Sequence, residues 1–226
     1  MLPLWDANPP RRAPVMTLAL ILANAAVFAY TVHLAMAGRA GPFLAAHALV
    51  PRQLFAEWDR AAPWLTFLTY QFLHAGLGHL VGNCWFLWVF GRNVEDRLGP
   101  ARFLGLYLLA GVAAAAVQVM VSGDSPLPMM GASGAISGVL GAYLVLFPRA
   151  WIYTLVPWII PILPVPAVVF LALWFVAQAF NGFGALLGGG SGGVAWWAHV
   201  GGFLAGIALL AAAPRNPARR RRPPAG

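Results

Sequence analysis

The sequence predicts an all-α membrane protein folded as a bundle of six transmembrane helices, and three observations carry that prediction. Of 226 residues, 61% are hydrophobic and only 9% charged, with a positive mean hydropathy, which lies far from the composition of a soluble domain. Against a yardstick of roughly 20 apolar residues per crossing, six stretches qualify: 15–36, 77–90, 103–121, 133–147, 166–183 and 194–213. Arginine placement completes the case. With both termini in the cytoplasm, eleven of the 14 arginines fall inside and three, Arg39, Arg52 and Arg60, fall outside, which is the bias that inward-facing loops carry.

Each element has its own signature. Arg11 and Arg12 precede the first stretch, but its 22 residues exceed a signal-peptide core of roughly 7–15. It is therefore read as an uncleaved span behind a cytoplasmic segment, 1–14. The outer loop 37–69, with Tyr70 just beyond it, carries Trp58 and Trp64, amphipathic rings suited to a membrane interface. Stretches two and four offer only 14 or 15 strongly apolar residues, roughly 22 Å of helix. That is short of a hydrocarbon core of roughly 30 Å, so each must sink one end below the surface or thin the bilayer. Pro148, Pro157, Pro161 and Pro164 exclude a regular spanning helix, so 148–165 is expected to be an interfacial cytoplasmic connection. Seven glycines within 182–193 predict a flexible outer loop. The membrane domain is thus 15–213, and 214–226, proline-rich and basic, is expected to be disordered against anionic headgroups.

A net charge of +8 invites a nucleic-acid reading. The arginines flank apolar runs instead of forming a basic face, so the expected partner is the lipid bilayer and not nucleic acid. Cys84, the single cysteine, excludes an intramolecular disulfide and reads as a small packed residue. The aromatic run CWFLWVF that it opens is expected to be lipid-facing, and Gln118 is expected to be satisfied by a neighbouring helix.

Polar groups at membrane depth are costly, which makes them candidates for function. Ser133 opens the fourth stretch, His199 lies in the first turns of the sixth, and His79 and Asn83 lie in the first turns of the second. The arginine bias puts all three starts on the outer side, so four polar residues from distant parts of the chain converge in one leaflet. A serine hydroxyl becomes a nucleophile when an adjacent base takes its proton, and histidine is well matched to that task at neutral pH. No carboxylate is placed to orient His199, so a dyad of Ser133 and His199 is expected. His79 and Asn83, four residues apart on one helix face, can donate to a developing oxyanion beside the Ser133 N–H, aided by the positive end of the fourth helix. Gly131, Gly134 and Gly138 surround the serine, and Gly202 and Gly206 follow the histidine, a small-xxx-small pattern that lets helices approach closely.

GASG around Ser133, AHVGG around His199 and HLVGN from His79 to Asn83 resemble the three signature motifs of the rhomboid intramembrane proteases. QFLHAGLGHLVGN, FGRNVEDRLGPARF and LWFVAQ are similar to rhomboid sequence as well, from about Trp64 to about Gly206. The resemblance implies a six-helix fold with a water-filled cavity open to the outer side. It implies a serine endopeptidase that cuts peptide bonds in or near transmembrane segments of other proteins, with the fifth span and the loop after it acting as a lateral gate. It further implies that His79 and Asn83 join an oxyanion hole, and that Glu95 and Arg97 are structural. Ser137 departs from members that carry an aromatic residue there against the catalytic histidine. Trp58 and Arg60 lack the clear pairing that some members show in the first outer loop, and no role in activity is assigned to that loop.

Other chemistries are disfavoured. His74 and His79 are five apart with no acid between them, unlike the HExxH of zinc proteases, and Asp124 stands alone in a loop, so no metal, cofactor or paired aspartates are expected. His74 is expected to be a structural hydrogen-bonding residue. The partners implied are transmembrane substrates, and the expected location is a bacterial plasma membrane with the site opening outward. The alternatives are a non-catalytic rhomboid-like adaptor that binds transmembrane helices, and a small channel or transporter. The retained serine and histidine argue against the first, and the apolar inner halves of the spans argue against the second.

Overall fold

The computed structural model describes residues 1–156, 160–188 and 194–212. Of the loop expected at 182–193, residues 182–186 instead continue a helix, and 189–193 lie outside the described residues, as does the basic tail. Each of the six apolar stretches falls largely on helix. The first is α1 (Val15–Met36), followed by the short helices α2 (Ala40–His47), α3 (Pro51–Ala56) and α4 (Ala61–Thr69). Next, α5 (Leu77–Phe86) passes through a π-type turn, Leu87–Gly91, into α6 (Arg92–Leu98). Gly99, at φ +84°, breaks the run, and Pro100 restarts it as the first residue of α7 (Pro100–Ser122), a position where its missing N–H costs nothing. The chain continues through α8 (Ser133–Leu146), α9 (Ala167–Leu186) and α10 (Trp196–Ala212). Among the described residues α1, α7 and α9 are each long and apolar enough to cross a membrane, and α8 and α10 are shorter apolar helices.

The core is built on close backbone approach. Helix α10 packs most extensively against α8 and α7. A Cβ added at Gly202 would meet the Gly134 carbonyl, one at Gly206 the Gly138 carbonyl, and one at Gly141 the Phe203 carbonyl. Only glycine lets these two backbones touch, which is the close approach expected from the small-residue spacing. Gln118 on α7 joins the same contact, accepting from the Ala198 N–H at 3.1 Å through Oε1 and donating to Ser122 at 2.6 Å through Nε2.

Two expectations need correction. The fold is mostly helical but not all-α. Strands β1 (Leu2–Asp6), β2 (Trp151–Val156) and β3 (Ile160–Pro166) form an antiparallel sheet in the order β1-β2-β3, with Leu2 opposite Leu155 and Trp151 opposite Pro166. The prolines of 148–165 do exclude a helix, but an edge strand such as β3 tolerates them. Second, CWFLWVF is not simply lipid-facing. Leu87, Val89 and Phe90 are fully buried, and Trp85 and Trp88 face outward. A run that is apolar on every side gives no direction to its faces. Asp124, in the loop before α8, is met by Arg52, which donates to its carboxylate at 3.0 Å.

Buried charge ties these elements together. Glu95, at the start of α6, accepts from the Met16 and Thr17 N–H groups at 2.8 Å each and from the Thr17 hydroxyl at 2.7 Å, so it caps α1 from a distant helix. Asp6 closes β1 in a buried site, accepting from Asn93 at 2.5 Å and from the Tyr143 hydroxyl at 2.7 Å. Arg92 lies 3.6 Å from its second oxygen. Burial pushes the Asp6 carboxyl above the usual carboxylate range, outweighing the opposing pull of Tyr143 and Arg92.

Candidate active site

Ser133 is the first residue of α8, and the turn that delivers it is pinned on both sides. The Gly131 N–H donates to the Tyr70 carbonyl at 2.9 Å, and the Tyr70 hydroxyl donates to the Gly111 carbonyl at 2.7 Å. Gly131 itself has φ +137°, a backbone region that favours glycine. A Cβ there would also strike the His79 ring, within 2.9 Å of two of its atoms, and would lie 3.7 Å from Ser133 Oγ. The glycine before the serine thus leaves the space that His79 occupies beside it.

His199 lies one turn into α10. Its Nε2 is 2.8 Å from Ser133 Oγ, across the same α8–α10 contact that the glycines close. Its Nδ1 is 2.7 Å from Gln178 Oε1 on α9. The rings of Trp174 and Trp196 flank the imidazole, each with its centroid 6.1 Å away. Ser137 does not support the ring, because its hydroxyl donates to the Ser133 carbonyl at 2.6 Å.

These groups line a cavity of about 340 Å³ bounded by α5, α8, α9 and α10. His79 stands exposed at its rim. Asn83, one turn deeper and buried, lines the wall with a side-chain N–H that has no partner among the described residues. His74 is buried and edge-on to His79, with ring centroids 5.2 Å apart, and it interacts with the Phe72 backbone. No group of three histidines, cysteines or carboxylates among those residues is placed to hold a metal ion.

The arrangement therefore brings together Ser133, His199, His79 and Asn83, with Gly131 and Gly134 behind the serine and Gly202 and Gly206 behind the histidine. Gln178 is the site residue that sequence reasoning does not pick out. The available signal is the one that finds the others, an amide within an otherwise apolar helix, buried at 9% exposure.

Comparison with known proteins fits this geometry. The Rhomboid domain model matches residues 61–215, more than half of the chain. The mitochondrial Rhomboid protein 1 of Saccharomyces cerevisiae is 31% identical over 69% of this chain and 44% of its own length. Rhomboid protease GluP of Bacillus subtilis is 44% identical over 36% of this chain and 15% of its own length. Rhomboid protease GlpG of Salmonella paratyphi A is 27% identical over 63% of this chain and 46% of its own length. The chain thus spans less than half the length of each of these relatives. With its matched domain covering α4 to α10 and the whole cavity, this chain belongs to the rhomboid family of integral membrane proteins.

Proposed function

We propose that the chain is an intramembrane serine endopeptidase that cleaves peptide bonds in or near transmembrane segments of other proteins, with Ser133 as nucleophile and His199 as general base. The observation that carries this reading is the 2.8 Å separation of Ser133 Oγ and His199 Nε2 at the wall of a cavity walled by apolar helices. Two relatives named as rhomboid proteases support it. In this reading the domain 15–213 crosses the bilayer six times with both termini in the cytoplasm, and the cavity opens outward.

The steps follow from the geometry. His199 Nε2 takes the hydroxyl proton as Ser133 Oγ attacks the scissile carbonyl carbon. The oxyanion that forms lies within reach of the Ser133 N–H, the unpartnered Asn83 amide and His79 at the rim. Such donors stabilise the transition state because they are fixed before charge develops. His199 then protonates the departing amine, and a water activated by the same nitrogen releases the acyl group from Ser133. Since a stable helix hides its carbonyls, the substrate unwinds locally to reach Ser133, which favours small and helix-destabilising residues near the cut.

The test is cleavage of a single-span substrate by purified protein in liposomes. Losing the serine or its base costs on the order of a million-fold in rate, so Ser133→Ala and His199→Ala are expected to leave no measurable product. Equal cleavage by the variants and the wild type would refute the catalytic assignment.

A further inference from the structure

We infer that Gln178 is a positioning residue for the general base: its side-chain carbonyl on α9 accepts the Nδ1 proton of His199 and so holds the imidazole in the tautomer that leaves Nε2 free to take a proton from Ser133. The inference rests on the proposed serine mechanism and adds to the pair a third side chain from a third helix.

Three observations converge on it. The Oε1 to Nδ1 distance is 2.7 Å and the Nε2 to Oγ distance is 2.8 Å, so the three side chains form one chain of hydrogen bonds. A carbonyl oxygen can only accept, which puts the proton on Nδ1 and the lone pair on Nε2. The opposite amide orientation would place an N–H against Nδ1, force the proton onto Nε2 and abolish the base. Burial supplies the second observation. The buried residues of α9 are Ala167, Phe170, Leu171, Gln178 and Gly182, a single stripe at helical spacing in which Gln178 is the one polar side chain. Gly182, one turn on, lets the Trp197 ring come within 3.1 Å of the position a Cβ would take, so α9 lies close against α10 at the level where the amide meets the ring. Third, two hydroxyls close to the site are engaged elsewhere. Ser137 bonds to the Ser133 carbonyl, and the Tyr70 hydroxyl to the Gly111 carbonyl. The described residues lining the cavity include no carboxylate.

One consequence is mechanical. Ser133 and His199 sit on α8 and α10, whose backbones touch, whereas Gln178 rides on α9. Displacing α9 from α10 would leave the serine and histidine paired but release the tautomer. The position of α9 therefore sets the competence of the base.

The experiment compares wild type with Gln178→Met, which keeps the length and apolar bulk without the acceptor, and Gln178→Glu, which keeps an acceptor oxygen. Steady-state cleavage in liposomes is combined with 15N-histidine NMR of the same proteins in micelles. Gln178→Met is expected to lower kcat by about ten- to a hundredfold with KM unchanged and to remove the protonated Nδ1 signal of His199. Gln178→Glu is expected to keep that signal and return kcat to the order of magnitude of the wild type. A Gln178→Met protein with wild-type kcat and an intact Nδ1–H signal would overturn the assignment, as would a Gln178→Glu protein as impaired as Gln178→Met. Failure of the wild type to cleave would instead sink the protease reading, while the NMR comparison would still report whether Gln178 holds the tautomer.

Discussion

The two ends of this bundle use polar side chains differently. At the end where the chain starts, buried charges are matched across distant segments: Glu95 takes three donors from the start of α1, and Asp6 is met by Asn93, Tyr143 and Arg92. At the cavity end the site is built from a serine, two histidines and an amide. The Asn83 amide N–H has no partner among the described residues, and Ser133 and His199 hold a hydrogen bond that chemistry would break. Satisfied buried groups stabilise a fold, whereas unsatisfied ones carry a cost that persists where they serve a ligand or a transition state. Both ends contain conspicuous polar residues, so polarity alone does not locate a site. Spare hydrogen-bonding capacity alone does not locate it either, since Asp6 Oδ1 and Arg92 Nε also lack a hydrogen-bond partner among the described residues; the difference is that the cavity-end groups face an open cavity beside the Ser133–His199 pair.

The comparison can be broken in graded ways. The harshest is Gly206→Leu, because any side chain there runs into the Gly138 carbonyl and forces α10 away from α8. Loss of all cleavage and a destabilisation of about 3 kcal/mol, read from denaturant unfolding in detergent, are expected together. Asn83→Ala separates the two properties. Deleting a donor that has no partner among the described residues is expected to change stability by less than about 0.5 kcal/mol, while kcat falls by about 10²–10³. A large loss of stability without a kinetic effect would move Asn83 to the structural class.

Glu95→Ala is the mirror image. It leaves the first N–H groups of α1 without their acceptor and is expected to cost about 2–3 kcal/mol, with kcat per folded molecule unchanged. The smallest effect belongs to Asp6. Its carboxyl binds a proton more readily in the folded state than in the unfolded chain, so its contribution to stability is greatest below the unfolded value and fades as pH rises through the folded one. Melting curves between acid and neutral pH should show the wild type losing stability relative to Asp6→Asn as pH rises. A parallel pH dependence in both proteins would mean that Asp6 is not the group responsible.

Most of the helical framework is legible from apolar runs, since each long stretch lands on helix within a few residues. The four polar site residues are legible for a related reason, because Ser133, His199, His79 and Asn83 stand out against apolar sequence. The sheet is not. Its pairing of Leu2 with Leu155 joins segments that share no local signal, and the prolines that mark β3 also suit a loop. Gln178 escapes because LWFVAQ reads as apolar context, although the rule that singles out Asn83 applies equally to an amide on α9. The orientation of Leu87, Val89 and Phe90 escapes because a helix that is apolar all round has no preferred face.

The most direct test sets the two ends against each other on shared preparations. Cleavage of a single-span substrate and thermal unfolding would be measured in the same nanodiscs for wild type, Ser133→Ala and Glu95→Ala. The expected result is that Ser133→Ala melts with the wild type and cuts nothing, while Glu95→Ala melts earlier and cuts normally below its transition. Cleavage by Ser133→Ala at the wild-type rate would contradict the central claim that the cavity end carries the chemistry.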